Sequence, residues 1–336
     1  MKRIASLIRT ILQDTTPFRP SLLTNPSNFI KMSSSNLPLP NTSATSTSST
    51  TPAPSSPQTT SLQTYTSASL THAPNTTPLT TAHLPIPVVE PLQIKVNDAR
   101  GGSVPAFLHM NPEHHSTHPP TTAAILLSGA GGGVTGPSGI YLSMADKLAA
   151  LDAAIPTFRL DYRFPARNTL CCADVLAGME YLEAGFGISR FVLVGWSFGG
   201  APVFTVAGKD ERVVGCATVA SQTAETEGIR KLAPRPVLLV HGTGDKTLSP
   251  RCSERLYEMY GERGSREIRF FEGDNHALSA NAQEVEGLLV EFVVRCAGEG
   301  MSEGEKRMVG ESMVGSAERE GVMRRGGDLR GGESVD

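Results

Sequence analysis

The sequence predicts an α/β protein with a mostly parallel sheet, and three observations carry this expectation. Short β-branched and aromatic runs recur from about residue 92 to residue 271, and stretches long enough for helices separate most of them. Repeated alternation of buried strand and helix argues for parallel strands covered on both faces. The first two runs have only a turn between them, which fits an antiparallel hairpin at one edge. Finally, a strand, a sharp glycine-flanked turn and a helix follow one another around residue 197.

In chain order, strands are expected near residues 92–96, 104–109, 123–128, 155–160, 190–194, 213–219, 236–241 and 266–271, giving an eight-stranded sheet. Helices are expected near 139–152, 172–185, 198–207, 249–261 and 281–295. Only a short loop or one small helix fits between residues 221 and 231. No large lid can be built there, so a site at this edge should be open and shallow.

Gly195-Trp196-Ser197-Phe198-Gly199 carries the most chemistry. It follows the buried run 191–194 and precedes the apolar stretch 200–204. A sharp strand-to-helix turn strains its central residue, admits only small neighbours and holds a serine hydroxyl out at the sheet edge. A serine nucleophile needs a base, and the base needs an orienting acid. Asp245 lies just past the strand run 236–240, and His276 just past 268–271. Carboxyl ends of parallel strands face one edge, where ligands bind. Ser197, Asp245 and His276 should therefore converge.

Ser128-Gly129-Ala130-Gly131-Gly132-Gly133 follows another strand run. Glycines let backbone N–H groups approach a reacting oxygen closely. The N–H of Phe198, with that of Ala130 or Gly131, could form an oxyanion hole. The loop lacks the Gly-Lys-Ser/Thr ending of a phosphate-binding loop and the spacing of a dinucleotide fingerprint.

With these motifs in this order, residues 92–296 resemble the α/β-hydrolase superfamily, in its compact dienelactone-hydrolase-like and small-carboxylesterase branch. The resemblance implies Ser197 as nucleophile, His276 as general base and then acid, and Asp245 as its partner. Dienelactone hydrolases proper carry cysteine at the elbow, where this chain has serine. The chain also resembles the hydrolase-like domain of some chromatin-associated proteins.

Other residues compete for roles. His241 precedes the acid and reads as loop support rather than as the base. Asp274, two residues before His276, reads as a partner to the site or as a turn residue. Asp210 falls on the opposite edge of the sheet. His109, His114, His115 and His118 sit in a Pro-rich stretch that reads as an exposed loop rather than a metal site. Tyr162, Arg163 and Phe164 follow a strand at the site edge. They are candidates to line a substrate pocket, with Arg163 alternatively pairing a nearby carboxylate. Trp196 is expected to pack under the elbow.

Four regions are expected: a targeting or disordered N-terminus at 1–31, a Ser/Thr/Pro-rich disordered linker at 32–88, the hydrolase domain at 89–297, and a disordered Gly/Glu/Arg-rich tail at 298–336. Five cysteines in no framework spacing suit a reducing compartment. The first 13 residues are basic, amphipathic and acid-poor like a mitochondrial presequence, so both cytosol and mitochondria fit. A net charge of −3 gives no electrostatic case for nucleic acid, and no run is long enough to span a membrane. The expected function is hydrolysis of a small carboxylic ester or thioester, with neither metal nor organic cofactor. An amide or peptide hydrolase uses the same machinery, and a non-catalytic hydrolase-like interaction module is the alternative of a different class.

Overall fold

A computed structural model describes residues 87–111, 119–163, 166–330 and 333–335. The N-terminal segment 1–31, nearly all of the linker at 32–88, and Phe164, His114, His115 and His118 lie outside the described residues.

Eight strands form one sheet in the order β1-β2-β4-β3-β5-β6-β7-β8. They are β1 Val88–Lys95, β2 Ser103–Met110, β3 Thr122–Leu127, β4 Thr157–Leu160, β5 Arg190–Trp196, β6 Val213–Val219, β7 Val237–Gly242 and β8 Arg266–Phe271. β1 pairs antiparallel with β2, and β2 antiparallel with β4. Every other pairing is parallel, as the alternation of runs predicts.

Seven α-helices accompany the sheet among the described residues: α1 Ile140–Ala150, α2 Asn168–Phe186, α3 Gly200–Ala207, α4 Arg251–Tyr260, α5 Ala282–Ala297, α6 Glu303–Val309 and α7 Arg319–Gly326. Side-chain alternation along the central strands divides the core. Phe191 and Leu193 of β5 face α2, α3 and α4 in one apolar cluster. Val192, Val194 and Trp196 face α1 and α5 in the other. Alternate residues of a strand point to opposite faces, so a strand buried on both sides is apolar throughout, which is what marks these runs in the sequence. Between β6 and β7 there is only the 3-10 turn Glu227–Lys231, as the short interval required.

The tail departs from expectation. Residues 298–330 are not an unstructured extension: they carry α6 and α7. Their apolar residues are few, but Met308, Val309, Met313, Val314, Val322 and Met323 are all buried. Polar anchors supply the rest. Lys147 of α1 donates to the carbonyls of Val309 (2.9 Å), at the end of α6, and Glu311 (2.6 Å), just past it. Arg319 donates to the Ser138 carbonyl at 2.9 Å. A composition rich in Gly, Glu and Arg hides short helices that bury one narrow face each. One local signal was present: Ser302 and Glu305 form a reciprocal capping box at the start of α6.

His109 also departs from expectation. It is buried in β2, where its Nδ1 meets Asp146 at 2.7 Å and its Nε2 accepts from Arg159 at 2.8 Å. It is a core polar residue, not part of an exposed loop.

Candidate active site

The elbow is built as its sequence demands. β5 ends at Trp196, a 3-10 turn covers Ser197–Gly199, and α3 follows directly. Ser197 takes φ +54°, a left-handed conformation that is costly for a residue with a Cβ. Glycines flank it because there is no room for anything larger. A Cβ at Gly195 would come within 2.5 Å of the Gly199 carbonyl, and one at Gly199 within 2.6 Å of the Ser128 carbonyl. Both obstacles are backbone atoms, which yield little. Gly199→Ala is therefore expected to displace the elbow, costing about 1–3 kcal/mol of stability and roughly 10²-fold in turnover. Urea denaturation and kcat/KM measure these, and wild-type values in both would refute the close approach.

β7 and β8 deliver the other two residues. Their following loops are tied together: Thr243 N–H donates to Phe271 (2.8 Å), Gly244 N–H to Asp274 (2.9 Å) and Gly273 N–H to the Thr243 hydroxyl (2.8 Å). Asp245 Oδ1 accepts the N–H groups of Thr247 and Leu248, each at 2.8 Å, which fixes its carboxylate. Its Oδ2 receives His276 Nδ1 at 2.7 Å and His241 Nε2 at 3.0 Å. Burial would raise the Asp245 pKa, but the hydrogen bonds of His241 and His276 hold it well below the usual carboxylate range. His241 is itself set by the Ser253 hydroxyl, 2.8 Å from Nδ1. It braces the Asp245 carboxylate from the end of β7.

His276 is fully buried. Trp196 lies against its ring, with centroids 5.5 Å apart, and the indole N–H donates to the His276 carbonyl at 3.0 Å. Trp196 thus packs under the elbow and also holds His276. Asp274 organises the turn that carries His276, accepting N–H groups from Asn275, Ala280 and Asn281 at 2.9–3.1 Å. Burial by itself would lower the His276 pKa. Hydrogen bonds to Asp245 and Glu333 outweigh it, so the imidazole is held above the ordinary histidine value.

Glu333 was not anticipated. Its Oε1 accepts from the Ser197 hydroxyl at 2.9 Å and lies 3.2 Å from His276 Nε2. Its Oε2 accepts the N–H of Ala130 in the glycine-rich loop. Ser197 and His276 therefore meet at one carboxylate oxygen. The expectation of an open site is corrected by this contact: Ser197 is only 5% exposed, because the C-terminal segment lies over it. The Arg330 backbone runs directly above Gly131. Of the proposed oxyanion donors, Ala130 is the one seen holding an anionic oxygen, while Phe198 lies in the elbow turn beside Ser197.

Two further carboxylates shape the loop after β3. Buried Asp328 accepts the Ser128 hydroxyl, the Thr135 hydroxyl (2.6 Å) and the Gly136 N–H (2.7 Å). Burial pushes its pKa up to about 6 against these hydrogen bonds. Asp161 accepts the Gly133 N–H at 2.8 Å and pairs with Arg330 at 2.7 Å. Neither was legible in sequence, since each acts across a long stretch of chain.

Tyr162 and Arg163, the pocket candidates among the described residues, are held by internal contacts. Tyr162 is buried, with its hydroxyl donating to the Ser128 carbonyl at 3.1 Å and its ring edge-on to Phe198. Arg163 takes the alternative role weighed for it: its guanidinium pairs with Asp174 and with Asp98, 2.6 Å from Nη2, and donates to the Gly101 carbonyl at 2.8 Å. With its donors engaged in the fold, it anchors the loop after β4. Asp210 pairs with Arg212 at 2.7 Å, away from the triad. Among the described residues no group of three or more His, Cys, Asp or Glu side chains is placed to hold a metal ion. No helix among them is long and apolar enough to cross a membrane.

Residues 157–251 match the family described as alpha/beta hydrolase fold, a span that includes Ser197 and Asp245. Solved structures agree. A putative α/β-hydrolase of unknown function from Agrobacterium tumefaciens superposes with a TM-score of 0.52 at 18% identity, over 64% of this chain and all (100%) of its own. A dienelactone hydrolase from Anabaena variabilis gives 0.51 at 15% identity, over 62% and 98%. The esterase domain of a Rhodothermus marinus protein gives 0.50 at 19% identity, over 62% and 98%. Comparison with curated proteins gives no match. The chain has the α/β-hydrolase fold, with a dienelactone hydrolase and an esterase domain among its structural neighbours.

Proposed function

We propose that this protein is a serine hydrolase that cleaves a carboxylic ester or thioester through an acyl-enzyme. One observation carries the reading: a carboxyl group already lies where the reaction would need one. Its oxygens meet the Ser197 hydroxyl, His276 Nε2 and the Ala130 N–H together.

In the proposed reaction, Ser197 Oγ attacks the substrate carbonyl carbon as His276 Nε2 takes its proton. Asp245 holds the imidazole through Nδ1 and stabilises its charged form. The N–H groups of Ala130 and Phe198 stabilise the oxyanion of the tetrahedral intermediate. Its collapse breaks the bond to the alcohol or thiol, which leaves with the proton from His276. Water, deprotonated by His276, then attacks the acyl-serine and releases the acid and free Ser197. The five cysteines are free thiols, which supports a reducing compartment such as the cytosol.

The test is covalent labelling with a fluorophosphonate, with the modified residue located by mass spectrometry. Ser197 is expected to be the labelled residue in the full chain and in Glu333→Ala. Folded protein in which neither is labelled at Ser197 would overturn the reading.

A further inference from the structure

We propose that the C-terminal segment is a resident inhibitor of this hydrolase, with Glu333 seated as the acid product of ester cleavage would sit. This rests on the hydrolase reading above. A product carboxylate leaving an acyl-serine has one oxygen in the oxyanion hole and the other, derived from water, between nucleophile and base. Glu333 matches both: Oε2 takes the Ala130 N–H, and Oε1 lies 2.9 Å from Ser197 Oγ and 3.2 Å from His276 Nε2.

The contact occupies the nucleophile, the base and one oxyanion donor. The Ser197 proton points to Glu333 instead of to its base. His276 Nε2 faces an acceptor, so it is held as a donor. The imidazole then lies between two carboxylates, Asp245 on Nδ1 and Glu333 on Nε2, with Trp196 against its ring. The space for a substrate carbonyl is filled.

The described residues of the segment are anchored at several points. α7 buries Val322 and Met323. Asp328 is gripped by Ser128, Thr135 and Gly136 of the loop after β3. Arg330 pairs with Asp161 at 2.7 and 2.8 Å. Each anchor reaches the same loop or its support, so Glu333 is presented at high local concentration. The Glu333 side chain is 3% exposed. An anion is buried to that degree only where donors replace its water, and here they are the groups the reaction uses.

The experiment compares fluorophosphonate labelling rates of the full chain, Glu333→Ala and Glu333→Gln, with the His276 imidazole titrated in each by NMR. Both variants are expected to label about tenfold faster or more, and His276 to titrate at lower pH in both. Glu333→Gln keeps the shape of the side chain while removing its charge and turning one acceptor oxygen into a donor, so it guards against a packing defect. Equal labelling rates in all three proteins would overturn the inhibitor while leaving the hydrolase intact. No labelling of Ser197 in any of them would overturn the hydrolase reading and the inhibitor with it.

Discussion

Ser197→Ala is expected to lower ester hydrolysis by about 10⁴–10⁶-fold, His276→Ala by a similar factor, and the double variant by no more than either. In the proposed reaction nucleophile and base act as one unit: without the base the hydroxyl stays protonated, and without the hydroxyl the base has no proton to move. Residual turnover would come from the oxyanion donors and from binding. The measurement is kcat/KM on an activated ester in a background with Glu333 replaced. Effects that multiply in the double variant would show that the two residues act separately. The pH dependence has a definite sign. A general base works as neutral imidazole, so the rate falls as pH drops through the His276 pKa. Asp245 and Glu333 hold that pKa above the ordinary histidine value, placing the acid limb higher in the full chain than in the Glu333 variants.

Lys147→Met is expected to destabilise the fold by about 3–5 kcal/mol. Lys147 on α1 is fully buried, and its ammonium lies 2.8 Å from Glu286 on α5, itself 1% exposed. Methionine fills a similar volume but leaves the Glu286 carboxylate in an apolar interior without its counter-charge. Desolvation already raises the Glu286 pKa, and the Lys147 ammonium is the chief opposing influence. The same substitution removes the donor to the Val309 and Glu311 carbonyls, so the chain beyond α6 loses an anchor. Lys147→Met/Glu286→Leu is expected to recover much of the loss, because a buried pair roughly offsets its own desolvation. Urea denaturation measures both. A cost below about 1 kcal/mol for the single variant would mean that the pair is not dry.

Strands β2 to β7 were legible because each is a short, largely apolar run closed by turn residues, and burial on both faces requires that pattern, whereas the edge strands β1 and β8 are mostly exposed or half-buried and carry charged residues. The positions of Ser197, Asp245 and His276 were legible for a local reason too. Each lies immediately after a strand, and parallel strands deliver their C-terminal loops to one edge whatever their separation in sequence. The tail was misread because its helices bury few residues each, and composition averages those away. Only the capping box of Ser302 and Glu305 is a local mark of order there.

Local patterning thus determined the α/β-hydrolase fold, the elbow and the edge where the site lies, since periodicity and turn chemistry act over a few residues. The tertiary structure alone decided what faces Ser197. Glu333, Asp328 and Arg330 reach the site from more than a hundred residues beyond the elbow. It also decided that Arg163 anchors a loop, because its partners Asp98 and Asp174 come from separate segments of the chain. A carboxylate near its own segment looks like any solvated charge. What it binds is set by chain-distant donors, which only packing brings within hydrogen-bonding reach.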